Sequence, residues 1–180
     1  VQALGHPFTE LFARGLFPDV SELVVRPTRP ATNPFQCSTS WFTLGPHLDG
    51  HHVFVDGSGL DQAYEHLRTA GWSVVVYDSD RRLVAEAWGA VPLEEAPDQL
   101  ARDGEDYAVK ILTDQVTGGN YKLYIDCLAT VRCASCPLAA ASASCQRAHL
   151  WAGRAEQLLE VSVVKVKAHL GMKAVRDGVI

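Results

Sequence analysis

Short runs of mostly apolar residues, rich in strand formers and bounded by polar or small residues, follow residue 50 and predict strands over His52–Asp56, Trp72–Tyr77 and Leu83–Trp88. Each run is rich in valine or aromatic side chains, which suit a pleated, half-buried surface. Asp78-Ser-Asp80 separates the last two runs and reads as a hairpin turn, so the three strands are expected to be consecutive and antiparallel. A helical period then begins. Glu105, Ala108, Val109 and Leu112 fall on one face of a helix with Asp103 as its N-cap, while Asp106 and Lys110 form an i,i+4 acid–base pair on another face. Glu105 is therefore expected to point with the apolar residues. Tyr121–Asp126 reads as a fourth strand, and the helix before it makes a parallel return to the sheet natural. In the Ala-rich stretch from Ala139 to Leu159, His149–Leu158 is the helical candidate, and Val161–Ala168 is a fifth strand ending just before His169. The order β-β-β-α-β-α-β predicts an α/β fold with a mixed five-stranded sheet, three antiparallel strands followed by parallel fourth and fifth strands, flanked by helices.

Residues 1–48 differ. Pro18, Pro27, Pro30, Pro34 and Pro46 interrupt any period, leaving one short helical candidate at Thr9–Gly15. They are expected to form a proline-rich arm or linker, packed on the domain through Phe35, Trp41 and Phe42, with residues 49–180 forming the domain proper.

Composition narrows the class. With 180 residues, 47% hydrophobic and 21% charged, the chain can bury one proper core. A formal charge of −5 argues against holding nucleic acid by bulk electrostatics. No apolar run approaches a membrane span, and no charged-then-apolar order marks a signal peptide, so an intracellular place, cytoplasmic or nuclear, is expected. Five cysteines, an odd number, fit a reducing compartment. The start at Val1 and the closing Gly-Val-Ile suggest a piece of a longer polypeptide.

The candidate chemistry lies in carboxylates. Asp56 and Asp126 each end a strand, and Glu105 lies on the sheet-facing side of the helix. If the two strands are neighbours, the three acids converge, and their mutual repulsion is relieved by divalent metal, for which hard oxygen ligands favour Mg²⁺ or Mn²⁺. Two such ions would clamp a phosphodiester. Gly57-Ser58-Gly59 would let a backbone approach closely. The plainer alternative stays open: Asp-Gly as a turn, Asp126 as a helix cap, Glu105 as a solvated helical acid. A second site is offered by Cys133-x-x-Cys136 and Cys145-x-x-x-His149, whose spacing admits a structural zinc, or equally small core cysteines and a histidine opening a helix. Trp72 with Tyr77 or Trp88 reads as core, not as a platform for bases.

The segments VFVDGSG at 53–59, GWSVVVYD at 71–78, GEDYAVKIL at 104–112, YKLYIDCLATV at 121–131 and VVKVKAH at 163–169 resemble, in order, the type 1 ribonuclease H family, including domains attached to retroelement reverse transcriptases. The resemblance implies a two-metal endonuclease that hydrolyses the RNA strand of RNA–DNA hybrids. In it Asp56, Glu105 and Asp126 hold two Mg²⁺ or Mn²⁺ ions, and His169 assists proton transfer or product release. Gly57 and Ser58 are the expected substrate contacts. An upstream reverse transcriptase domain on the same polyprotein is the implied partner, and no membrane is. Recognition would run through 2′-hydroxyls and phosphates, with slight sequence specificity. The basic helical extension of some members is missing, since Cys127 to Leu150 carries only Arg132 and Arg147 as cations.

The family's fourth carboxylate, within an Asn-x-x-Ala-Asp pattern, has no match before Ile180. Asp177 is the only acid after His169, and its Val-Arg-Asp-Gly setting reads as a turn. Either the chain is truncated or the domain has lost a ligand. In the second case affinity for the second ion falls, cleavage weakens or vanishes, and the fold survives as a non-catalytic module, a spacer or nucleic-acid contact within a polyprotein. Another two-metal nuclease or integrase on the same architecture is the third reading, against which the VKVKAH stretch counts.

Overall fold

The computed structural model describes residues 35–63, 68–142 and 144–167. The Thr9–Gly15 candidate, His169 and Asp177 lie outside them.

The three apolar runs form strands β2 (His52–Leu60), β3 (Thr69–Tyr77) and β4 (Leu83–Ala90), followed by helix α1 (Ala101–Gln115) and strand β5 (Lys122–Ile125). Three short helices come next, α2 (Leu128–Ser135), α3 (Pro137–Ala140) and α4 (Ala148–Trp151), and then strand β6 (Ser162–Lys165). β2, β3 and β4 pair antiparallel, while β5 pairs parallel to β2 and β6 parallel to β5. The expected directions hold. Among the described residues the sheet nevertheless has six strands, not five: with β1 (Phe35–Cys37) added, the order is β1-β4-β3-β2-β5-β6. The extra strand comes from the stretch read as an arm and pairs antiparallel with β4. Three residues behind a proline are too few to show a period. The Phe35 ring lies 5.5 Å from that of Trp72, and Trp41, in the 3-10 turn Thr39–Thr43, is buried, whereas Phe42 is 70% exposed.

α1 lies on the face of the sheet that carries Val53, Val55, Val74 and Val76, and it buries Ala108, Val109 and Leu112 in the same core. Its start corrects the expected cap. The N-cap is Leu100, and Asp103 stands at the third helical position, where its carboxylate accepts the Leu100 N–H at 2.7 Å while its own N–H donates to the Leu100 carbonyl at 2.8 Å. A carboxylate one turn inside the helix satisfies an orphan amide and complements the positive helix end. The Asp106–Lys110 pair does not form either. Asp106 is buried and accepts from Thr130 Oγ1 of α2 at 2.7 Å, with Arg102 Nε 3.5 Å away, whereas Lys110 turns to Asp114 at 3.1 Å and Glu95 at 3.6 Å. The reason is a second layer: α2 and α4 cover the side of α1 that an isolated amphipathic pattern assigns to water.

That layer replaces the single helix expected over His149–Leu158. Pro137 opens α3 directly after α2 ends at Cys136, and Gly153, at φ +74, follows the end of α4. The chain resumes only as a 3-10 turn at Glu156–Leu158. Among the described residues no helix is long and apolar enough to cross a membrane.

Candidate metal centre

β2 does not stop at Asp56. It continues through Gly57, Ser58 and Gly59 to Leu60, with Asp56 opposite Ser73 and Gly57 opposite Trp72. Alternation then sets His52, Phe54 and Asp56 on one face and Val53, Val55 and Gly57 on the face of α1. Next to it, β5 runs parallel with Phe54 opposite Tyr124, and their rings stack at 4.5 Å between centroids. Two residues further along each strand stand Asp56 and Asp126, level with one another, the second just past the end of β5.

Glu105 arrives from α1, and two glycines let it through. A Cβ at Gly57 would lie 2.4 Å from the Glu105 nitrogen, 2.5 Å from the Ala101 carbonyl oxygen and 2.8 Å from Glu105 Cγ. A Cβ at Gly104 would lie 2.0 Å from the Gly71 carbonyl oxygen and 3.0 Å from Gly57 Cα. α1 therefore rests backbone to backbone on β2 and β3, and the glutamate side chain occupies space that any residue larger than glycine at 57 would fill.

The result is one cluster. Asp56, Glu105 and Asp126 each offer a carboxylate oxygen, and these oxygens all lie within 4.8 Å of one another. Asp56 is exposed and Asp126 half-buried, while Glu105 is only 4% exposed. Burial, above all, pushes the Glu105 carboxyl up to about 9; a hydrogen bond to Asp126 and the negative charges of Asp126 and Asp56 push the same way, against a bond from the Gly57 N–H. Glu105 Oε2 is buried and has no hydrogen-bond partner among the described residues. A buried oxygen with nothing to accept from, facing two further carboxylates, fits a divalent cation: all donors are hard oxygens, and an ion would replace the missing partner and offset the repulsion.

The other expected residues fall as follows. Ser58 is exposed, and its hydroxyl would lie 2.6 Å from a Cβ at Gly71. The zinc set does not assemble: among the described residues the carboxylate cluster is the one group of three or more side chains placed to share an ion. His149 Nε2 turns instead to the Glu95 carbonyl at 2.6 Å, and Cys133 Sγ accepts from Arg102 Nη2 at 3.7 Å. Two contributors went unread in the sequence. Gly104 carried a signal, a glycine inside a helical pattern. Arg147, buried against Asp103 and 3.9 Å from Asp106, carried none.

No protein-family model matches the chain, and no curated protein matches it. Solved structures do. The prototype foamy virus protease–reverse transcriptase aligns with 87% of this chain at 11% identity and TM-score 0.55, and the aligned part is 21% of the viral chain. A ribonuclease H1 isolated from compost by a metagenomic approach aligns over 71% of this chain and 89% of its own, at 14% identity and TM-score 0.47. A ribonuclease H1 from the halophilic archaeon Halobacterium salinarum aligns over 66% and 86%, at 18% identity and TM-score 0.42. The domain has a ribonuclease H-like fold, as its strand order and directions also indicate. At such identities the likeness concerns the fold alone.

Proposed function

We propose that this domain is a metal-dependent endonuclease that hydrolyses the RNA strand of RNA–DNA hybrids, with Asp56, Glu105 and Asp126 holding two Mg²⁺ or Mn²⁺ ions. One observation carries the reading: three carboxylates from three separate elements meet within 4.8 Å around a buried Glu105 oxygen that has no hydrogen-bond partner among the described residues. When bound, such ions supply Lewis-acid stabilisation of the charge that develops on a phosphoryl group. The chain's own part is positional. Asp56, at the exposed side of the cluster, is the carboxylate best placed to face a substrate phosphate, and Asp126 closes the other side. Glu105 gives up its proton on loading, so its raised pKa makes ion binding proton-linked.

Substrate would lie along the exposed continuation of β2, where Gly57 and Ser58 offer backbone groups and a hydroxyl to the sugar–phosphate backbone. His169, assigned to proton transfer or product release, completes the proposed machinery. A reverse transcriptase on the same polyprotein is the proposed partner; in support, most of this chain aligns with a part of a protease–reverse transcriptase. The net charge of −5 fits an enzyme that borrows affinity for nucleic acid from such a neighbour. The same charge favours the competing reading, a non-catalytic module.

A labelled RNA–DNA hybrid incubated with the protein and Mg²⁺ or Mn²⁺ decides between them. The enzyme reading expects cleavage of the RNA strand only, abolished by EDTA and by Asp56→Asn. No cleavage with either ion, from this chain and from one extended past Ile180, leaves the non-catalytic module.

A further inference from the structure

We propose, building on the metal-site reading above, that Gln62 and Gln99 form a positioning clamp that fixes where α1 begins and so where Glu105 stands among the carboxylates. Neither residue belongs to the cluster. Gln99 is 0% exposed, and although it is not glycine its backbone is left-handed, at φ +52. Its side chain is fully engaged: Oε1 accepts the Ala70 N–H of β3 at 3.0 Å, and Nε2 donates to the carbonyls of Val91 at 3.2 Å and Ala96 at 2.8 Å. The Gln99 carbonyl accepts from Gln62 Nε2 at 3.0 Å, and Gln62 Oε1 accepts the N–H of Ala101, the first residue of α1, at 3.3 Å.

The chain of contacts links the two strands beneath Glu105 to the start of its helix. Gln62 lies just past β2, where its Nε2 also donates to the Leu60 carbonyl at 3.1 Å and its amide would crowd a Cβ at Gly59 at 2.6 Å. Ala70 is paired with Gly59 in the ladder. The N-cap itself, Leu100, has no side-chain acceptor, and the orphan amide of the first helical residue, Ala101, is met by a glutamine two residues past the strand that carries Asp56. The helix can then begin at one place only, relative to both strands. With Glu105 one turn further on, a slip at this start moves its carboxylate out of a cluster only 4.8 Å across.

The test uses Mn²⁺ alone as probe, on the full chain without nucleic acid, so contacts to substrate do not enter. Mn²⁺ affinity is measured by calorimetry beside the thermal midpoint, at a temperature where circular dichroism shows each variant folded. Gln62→Leu is expected to weaken Mn²⁺ binding about tenfold or more, as loss of groups that orient metal ligands does, with a midpoint close to wild type because Gln62 is not buried in the core. Gln62→Glu keeps the acceptor for Ala101 N–H but loses the donor to the Gln99 and Leu60 carbonyls, and is expected to recover only part of the affinity, a partial rescue that a general loss of stability would not show. Gln62→Asn, one methylene too short, repeats the loss without adding apolar surface. Unchanged Mn²⁺ affinity in folded Gln62→Leu or Gln62→Asn overturns the clamp while leaving the metal site standing. Failure of the wild-type protein to take up Mn²⁺ overturns both.

Discussion

Replacing Gly104 by alanine tests the geometry on which the site depends. In an isolated helix the change is favourable by about 1 kcal/mol, because alanine is the better helix former. Here the added Cβ would stand 2.0 Å from the Gly71 carbonyl oxygen and 3.0 Å from Gly57 Cα, both backbone atoms that no side-chain rotation can move aside. To restore even a tight contact of 3.0 Å, α1 must retreat by about 1 Å or the start of β3 must give way. Overpacking of this kind costs typically about 1–3 kcal/mol, and more where only backbone can yield, so it exceeds the gain in propensity. A net loss of about 2 kcal/mol corresponds to a fall in Tm of about 4–8 °C for a chain of this length. The functional effect is expected to be larger, since Glu105 is the next residue and ion coordination demands oxygens at about 2.0–2.6 Å. Mn²⁺ affinity should fall about 10–100-fold and hybrid cleavage about 100-fold. Calorimetric titration, thermal melting and the hybrid assay on the same preparations measure all three. A Gly104→Ala protein with wild-type Mn²⁺ affinity and an equal or higher Tm would refute the argument that α1 is seated through its glycine.

The raised pKa of Glu105 makes stability depend on pH. Without divalent ions the folded protein keeps a proton on Glu105 up to about pH 9, against 4.5 for an unperturbed glutamate, so this contribution is full below about pH 4.5 and is lost as pH rises toward 9. Over that window it amounts to at most about 1.4 kcal/mol per pH unit; Glu105→Gln, which cannot ionise, should flatten the slope in thermal melts from pH 5 to 9 and abolish Mn²⁺ binding. Ion uptake by the wild type at pH 7.5 should release close to one proton from Glu105, read from calorimetry in buffers of different ionisation enthalpy. Arg147→Ala should cost about 3 kcal/mol, seen as a lower denaturant midpoint, because it leaves Asp103 buried without its cation, while Asp106 keeps Arg102 at 3.5 Å.

What could be read in the sequence was whatever depends on one element at a time. β2, β3 and β4 each contain a run of strand-forming apolar residues long enough to be recognised, and Glu105 shares its helical face with Ala108, Val109 and Leu112, so its inward direction followed from spacing. The failures come where a second element decides. Asp103 and Asp106 resembled a cap and a surface pair because nothing local announces that Thr130 and Arg147, far along the chain, will meet them. The helices between residues 128 and 151 are too short for a period to accumulate, and Gly153 interrupts the stretch His149–Leu158 that was expected to be one helix.

Gly57-Ser58-Gly59 is the most instructive case, because its small residues resemble a turn while the backbone there stays extended and paired with Trp72, Gly71 and Ala70. Their smallness serves an approach between elements, not a change of direction: an Asp ending a strand before a turn would leave Glu105 on the far side of the sheet. The extended course of β2 past Asp56, with no side chain at 57, is what lets a glutamate from the helix layer join two aspartates that the strands place at the edge of the opposite face. The carboxylate cluster thus follows from an absent side chain as much as from three present ones, and Gly57→Ala, which would set a Cβ 2.8 Å from Glu105 Cγ, should remove Glu105 from the cluster even though every carboxylate is retained.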